Sequence, residues 1–280
     1  MSAPLNPDVT LRFLALQGLA AEAAALAMRY FDNRDAMAVS LKGAQDWLTE
    51  ADGAVEALIR ARIAEVFPQD SVLGEEGGGE VSERVWIVDP IDGTSNFAHG
   101  DRTWCISIGF LLNGTPELGC IAAPALGETY LARRGHGATL NGKPIKAAAT
   151  DTITRATLEH GWSPRLPVGR FIDTVRALFE AGANVKRSAS GAMGLASVAC
   201  GRSDGYLEGH INSWDVAAGI VIASEAGARV SDFFSGDWTN GNPILVAAPA
   251  VAEETARVAG LSLSSSASAL ALSPGSKAGD

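Results

Sequence analysis

The chain has 280 residues, 47% of them apolar, and a formal net charge of −10. That length holds one large domain or two medium ones, and the apolar fraction suffices for a real core. The acidic balance argues against a nucleic-acid polymer or an anionic membrane as partner, because both reward clustered Lys and Arg.

The first element is a helix starting near Asn6-Pro7-Asp8, with Leu11, Leu14, Leu16, Leu19, Ala23 and Leu26 as its apolar face, running to about Phe31. A linker through Lys42 and Gly43 follows. Thr49 then opens a second helix, with Asp52 in capping-box position and Val55, Leu58, Ile59, Ile63 and Val66 as its core stripe; Pro68 ends it. Strands are predicted over Ser71–Gly74, Val85–Asp89, Cys105–Leu112, Leu118–Ala123 and Glu128–Ala132, with Asn113-Gly114 marking a hairpin. Gly77-Gly78-Gly79 lacks the Lys-Ser or Lys-Thr of a P-loop and reads as a flexible loop over a site. The second half alternates: a strand (Thr157–His160), helices (Gly169–Ala181 and Ser188–Cys200), a strand (Asp204–Glu208) and a helix (Ser213–Ala226). Residues Leu261–Asp280, rich in Ser, Ala and Gly, read as a disordered tail. The pattern is that of an α/β or α+β chain with stacked layers, residues 1–260 forming one domain of two α/β halves that divide near residue 150.

Cys105, Cys120 and Cys200 are an odd count without close spacing. A disulfide framework is not expected, and a reducing, cytoplasmic location is. No basic region precedes an unbroken apolar core at the N-terminus, so no signal peptide is expected. The longest apolar stretches are broken by Glu, Gln or Arg, so no membrane span is expected. His99, His136, His160 and His210 have no partner at metal-ligand spacing and read as structural or surface residues.

The chemistry concentrates in Asp89-Pro90-Ile91-Asp92-Gly93-Thr94, directly after the apolar run Val85-Trp86-Ile87-Val88. Pro90 stiffens this segment and Gly93 opens it, so Asp89 and Asp92 can aim at one point. Hard cations such as Mg²⁺ take such oxygen ligands, although Asp92 as a plain helix cap is an equal reading of the turn. Two further acidic features join it: Gly74-Glu75-Glu76, and Trp214-Asp215-Val216-Ala217-Ala218-Gly219 at the start of an Ala-rich helix. Together, in this order, the three motifs resemble the inositol monophosphatase family of Mg²⁺-dependent phosphomonoesterases, over roughly residues 8–260.

That resemblance implies an αβαβα sandwich of the sugar-phosphatase type, two or three Mg²⁺ ions and a homodimer. It implies that Glu75, Asp89, the Ile91 carbonyl, Asp92 and Asp215 hold metal, and that Glu75 and Thr94 orient the attacking water. The backbone of Gly93 and Thr94 would bind phosphate, and Glu76 would serve a third, weaker metal site. Asp52 matches the position that faces the metal waters, although its capping role accounts for it equally. Glu208, seven residues before Asp215, matches a glutamate on a substrate hydroxyl; Asp92, Gly191 and Ser163 match other substrate-lining positions. Lys42 is a candidate to offset the acidic site. The implied substrate is a small phosphate monoester: inositol monophosphate first, then histidinol phosphate, then a nucleotide 3′,5′-bisphosphate. Asn212 departs from the His of the better-known inositol enzymes. A catalytically silent homologue acting as a regulator is the non-enzyme alternative; it predicts loss of a metal carboxylate, and none is lost.

Overall fold

The computed structural model describes residues 7–36, 39–43 and 46–263. In chain order the elements of the first half are α1 (Pro7–Asp32), β1 (Val39–Gly43), β2 (Asp46–Thr49), α2 (Glu50–Val66), β3 (Ser71–Gly74), β4 (Arg84–Asp92), α3 (Thr94–His99), β5 (Cys105–Leu112), β6 (Thr115–Ala123), β7 (Glu128–Arg133), β8 (Ala138–Leu140) and β9 (Lys143–Pro144). The second half adds β10 (Thr157–His160), α4 (Val168–Glu180), β11 (Asn184–Lys186), α5 (Gly191–Ala199), β12 (Gly205–Ile211), α6 (Ser213–Glu225), β13 (Arg229–Val230), β14 (Asn242–Ala247) and α7 (Ala252–Ala259).

The strands form a large sheet in the order β3-β4-β5-β6-β7-β8-β9 and a smaller one in the order β11-β10-β12-β14-β13. β4 is buried on both faces, which explains its continuous apolar run. Alternate side chains leave in opposite directions: Trp86 and Val88 pack with α1 and α2, while Val85 and Ile87 pack with Leu111 and Ala217 on the α6 side. α5 and α6 fill the space between the sheets, and α4 and α7 cover the far side of the smaller one. The layers are therefore α, β, α, β, α, as the family resemblance implied.

The seating of α6 fixes the site. Gly109 of β5 and Gly119 of β6 face each other in register. A Cβ on Gly109 would lie 2.8 Å from Ala217 Cβ, and one on Gly119 2.3 Å from Ala218 O. The helix thus rests directly on the sheet backbone, which is why it carries the small residues Ala217 and Ala218 at the contact.

Several expectations are corrected. Leu11 and Leu14 are 61% and 62% exposed; the buried stripe of α1 instead runs through Val9, Arg12, Leu16, Leu19, Ala23 and Phe31. Arg12 belongs inside because its guanidinium grips Asp70 at 2.7 and 2.6 Å, and Asp70 also accepts Trp86 Nε1–H at 2.8 Å. A hydrophobicity pattern cannot register a buried ion pair of this kind. Over an 18-residue window of mean hydropathy 1.4, α1 is long and apolar enough to cross a membrane by length and composition alone. Here it packs on α2 and the large sheet. Val66, placed in the core stripe of α2, is 56% exposed at its end. The linker at Lys42–Gly43 is one arm of the β1–β2 hairpin, and the side chain of Lys42 lies outside the described residues. α5 begins at Gly191 rather than Ser188, because Ala189 takes a left-handed conformation at φ 61°. Leu261 and Leu263, assigned to the tail, pack against the core beneath α4 and α7; residues 264–280 lie outside the described residues.

Candidate metal centre and substrate cavity

β4 delivers the first two carboxylates. Pro90 has no N–H for the sheet, and the β4–β5 register shifts between Asp89 and Asp92. Ile91 N–H donates instead to Asp89 Oδ1 at 2.9 Å. Gly93, at φ 91°, then turns the chain into α3; a Cβ there would sit 3.0 Å from Thr103 O. The third carboxylate comes from α6. Asp89 lies opposite Ser107 of β5, and Ser107 Oγ–H donates to Trp214 O at 3.0 Å, which brings Asp215 over the end of β4. Asp215 also accepts the Asn212 N–H at 3.0 Å, so the helix-cap role and the place in the cluster coexist.

Asp89, Asp92 and Asp215 each offer an oxygen within 4.8 Å of the others. Burial pushes the carboxyl of Asp89 well up, and the charges of Glu75, Asp92 and Asp215 push it further. Burial likewise raises Asp215 to about 8. Asp89 and Asp215 stand close enough to perturb each other's ionisation. Carboxylates so crowded resist being ionised together unless a cation offsets their charge. A divalent ion fits this donor set: all oxygen, buried and crowded.

Asp92 is raised by burial, against the pull of its donors. Ser190 Oγ–H at 2.5 Å and the Ala192 N–H at 2.7 Å reach its Oδ2, and the Gly191 N–H reaches Oδ1 at 3.2 Å. It therefore ties β4 to the N-terminus of α5 through Ser190, Gly191 and Ala192. Asp52 serves two partners. Its Oδ2 accepts the Thr49 N–H at 2.8 Å and the Thr49 hydroxyl at 2.6 Å, closing the capping box; its Oδ1 lies 3.2 Å from Thr94 Oγ1. Thr94 Oγ1 is also 2.9 Å from Ile91 O. Burial lifts Asp52 to about 6, with the charge of Glu76 adding to the rise. Glu75 is fixed beside the cluster by its N–H, which donates to Val88 O at 3.2 Å.

A cavity of about 150 Å³ opens beside the cluster, lined by Asp92, Asp215, Gly191, Arg187, Tyr206 and Glu208 among others. Glu208 is buried, and burial raises its carboxyl to about 7, moderated by the Tyr206 hydroxyl and by the charges of Arg187 and Arg165. Tyr206 Oη–H donates to Glu208 Oε2 at 2.6 Å. A Cβ on Gly161 would fall 1.9 Å from that same oxygen, so glycine is required there. Ser163 is not brought to this cavity; it lines a smaller one with Leu166, Arg170 and Phe171. His210 faces the Asn240 carbonyl, at 3.0 Å.

Tyr206, Arg187 and Gly161 were not singled out in the sequence. Tyr206 was within reach, since it stands two residues from Glu208 on the same face of a strand. Arg187 and Gly161 follow strand ends, and no periodicity marks them.

The family model described as "Inositol monophosphatase family" matches residues 10–264. The chain is 37% identical over 213 residues to "Nus factor SuhB" of Xylella fastidiosa, covering 75% of this chain and 78% of that protein. It is 37% identical over 226 residues to "Inositol-1-monophosphatase" of Mesorhizobium japonicum, covering 78% and 84%. The crystal structure of the extragenic suppressor protein suhB from Bartonella henselae superposes with a TM-score of 0.81 at 29% identity, covering 88% of this chain and 96% of that one. With the three acidic motifs gathered at one point, in this layered fold and at this similarity, the chain belongs to the inositol monophosphatase family.

Proposed function

We propose that the protein hydrolyses a small phosphate monoester with Mg²⁺, an inositol monophosphate first. The observation that carries this reading is the Asp89–Asp92–Asp215 cluster, two buried carboxylates and a half-buried one, beside a cavity that Glu208 also lines. Glu75, Asp89, the Ile91 carbonyl, Asp92 and Asp215 would hold two Mg²⁺ ions, with a third near Glu76. Bound there, the ions would neutralise phosphoryl charge, favour ionisation of a water and stabilise the leaving oxygen. Asp52 and Thr94 form a hydrogen-bonded pair in which the carboxylate accepts the threonine O–H, leaving the hydroxyl oxygen free to accept from and orient a water. The backbone N–H groups of Gly93 and Thr94 would cradle the phosphate. Glu208, with Oε2 occupied by Tyr206, has Oε1 to accept from a substrate hydroxyl, which suits a polyol ester.

Histidinol phosphate is the second substrate, since an ionised Glu208 would also receive an ammonium group. Phosphate release across inositol phosphates, histidinol phosphate and nucleotide 3′,5′-bisphosphates, with Mg²⁺ and with chelator, tests the reading. Release from inositol phosphates only with Mg²⁺ is expected; no release from any of them overturns it. The Xylella relative's name supports a further reading, a Nus-factor role, compatible with an intact active site. A homodimer, implied by the family resemblance, is tested by equilibrium sedimentation.

A further inference from the structure

α2 carries Asp52, Glu56 and Arg60 four residues apart, on one face. Asp52 reaches Thr94. Its neighbours reach a different target. Glu56 is buried, and its carboxylate accepts two successive backbone N–H groups, Glu76 to Oε2 at 2.9 Å and Gly77 to Oε1 at 2.8 Å. Arg60 Nε–H donates to Glu56 Oε1 at 2.7 Å, while its two Nη groups donate to Val72 O at 3.2 Å and to Gly78 O at 2.5 Å. The segment after β3 is thus gripped from both sides by one helix. The Gly74 N–H closes it by donating to Gly78 O at 2.9 Å.

The glycines are shaped to this grip rather than to mobility. A Cβ on Gly74 would lie 2.6 Å from the Glu56 carboxyl carbon, one on Gly77 2.7 Å from Glu56 Oε1, and one on Gly79 1.9 Å from Val72 O. The flexible loop read from Gly77-Gly78-Gly79 is instead a pinned turn, and what it holds in place are Glu75 and Glu76. Glu75 acts on Asp89, and Glu76 on Asp52.

We propose that Glu56, braced by Arg60, is a positioning residue that sets the Glu75-Glu76 turn against the Asp89–Asp92–Asp215 cluster and thereby sets the affinity of the centre for divalent cations. The inference rests on the metal-centre part of the proposed function and not on the identity of the substrate. A glutamate is needed because the site presents only donors: two N–H groups and a guanidinium. A glutamine would turn its own NH₂ toward one of them.

The test is calorimetric titration of the intact chain with Mg²⁺, without substrate. Glu56→Gln should weaken the tightest Mg²⁺ binding by about tenfold or more, a loss in the range seen when residues supporting metal ligands are changed. Arg60→Lys keeps the charge but lacks the planar fork, and should weaken binding by a smaller factor. Glu128→Gln removes an ion pair to Arg202 of similar length, 2.7 Å, away from the centre. It should leave Mg²⁺ affinity at the wild-type value even where the melting temperature falls. Wild-type affinity in both Glu56→Gln and Arg60→Lys, or equal losses in Glu128→Gln, overturns the assignment, as does a wild-type chain that binds no Mg²⁺. A chain that binds Mg²⁺, loses affinity in Glu56→Gln and yet releases phosphate from no ester supports the positioning role and removes the phosphatase reading alone.

Discussion

β4 and β12 solve the same problem differently. Each is a buried strand whose register shifts just beyond a functional carboxylate, between Asp89 and Asp92 in one and between Glu208 and Ile211 in the other. At the end of β4 the strongest charges on Asp89 are three more carboxylates. On β12 Glu208 meets a tyrosine hydroxyl and the positive charges of Arg187 and Arg165, against one carboxylate, Asp92. Crowded carboxylates need a cation to be ionised together; a single buried carboxylate with a hydroxyl donor and basic neighbours does not. The difference is what the proposed division rests on, metal at the end of the first strand and a substrate hydroxyl at the second, with Asp92 and Glu208 lining one cavity.

The sharpest way to break this division is Asp89→Asn, which keeps shape and removes the charge shared by the cluster. Turnover should fall by about 10³ or more, as expected when a metal ion is lost from a hydrolytic centre. More than a tenth of wild-type turnover at saturating Mg²⁺ would count against it. The next largest effect should come from Glu208→Gln. It should lower kcat/KM for the polyol phosphate by about 10–10², with far less change for a small aryl phosphate and none in Mg²⁺ dependence. Tyr206→Phe should give a smaller loss of the same kind. Equal losses on both substrates would show Glu208 to serve the fold or the metals.

The smallest effect is on stability. In chelator, Asp52 and Glu208 have folded values of about 6 and about 7, above their unfolded 3.8 and 4.5. The native state then binds more protons, so stability is greatest below the unfolded values and falls as pH rises through the folded ones. Melting temperature should drop by some degrees, on the order of 5 °C, between about pH 4 and pH 8, and Glu208→Gln should flatten the upper part of that slope. A melting temperature that rises over the same range contradicts the burial argument.

The main strands and the acidic motifs were legible because they rest on short-range signals, while the αβαβα order and the ligand set came from the family resemblance. Val85-Trp86-Ile87-Val88 is the continuous run of a doubly buried strand, and Pro90 and Gly93 mark where its ladder breaks. Asp52 could be placed as a cap, and the structure gives one of its oxygens to Thr49 and the other to Thr94. What escaped depends on contacts distant in sequence. The buried face of α1 turns on Arg12 meeting Asp70, and the turn after β3 on Glu56 and Arg60 of another element. β11, β13, β14 and α7 were not foreseen; β11 and β13 are only Asn184–Lys186 and Arg229–Val230, too short to show a period. Ser163 was carried over from a loose match and sits at the neighbouring cavity.

The central claim is that the end of β4 and the start of α6 form a divalent-cation centre. Titration of the wild-type chain and of Asp89→Asn with Mg²⁺ in a calorimeter, without substrate, tests it most directly. The account predicts at least two Mg²⁺ per wild-type chain and loss of one or both in Asp89→Asn. No Mg²⁺ binding by the wild-type chain, or identical isotherms for the two proteins, would contradict it.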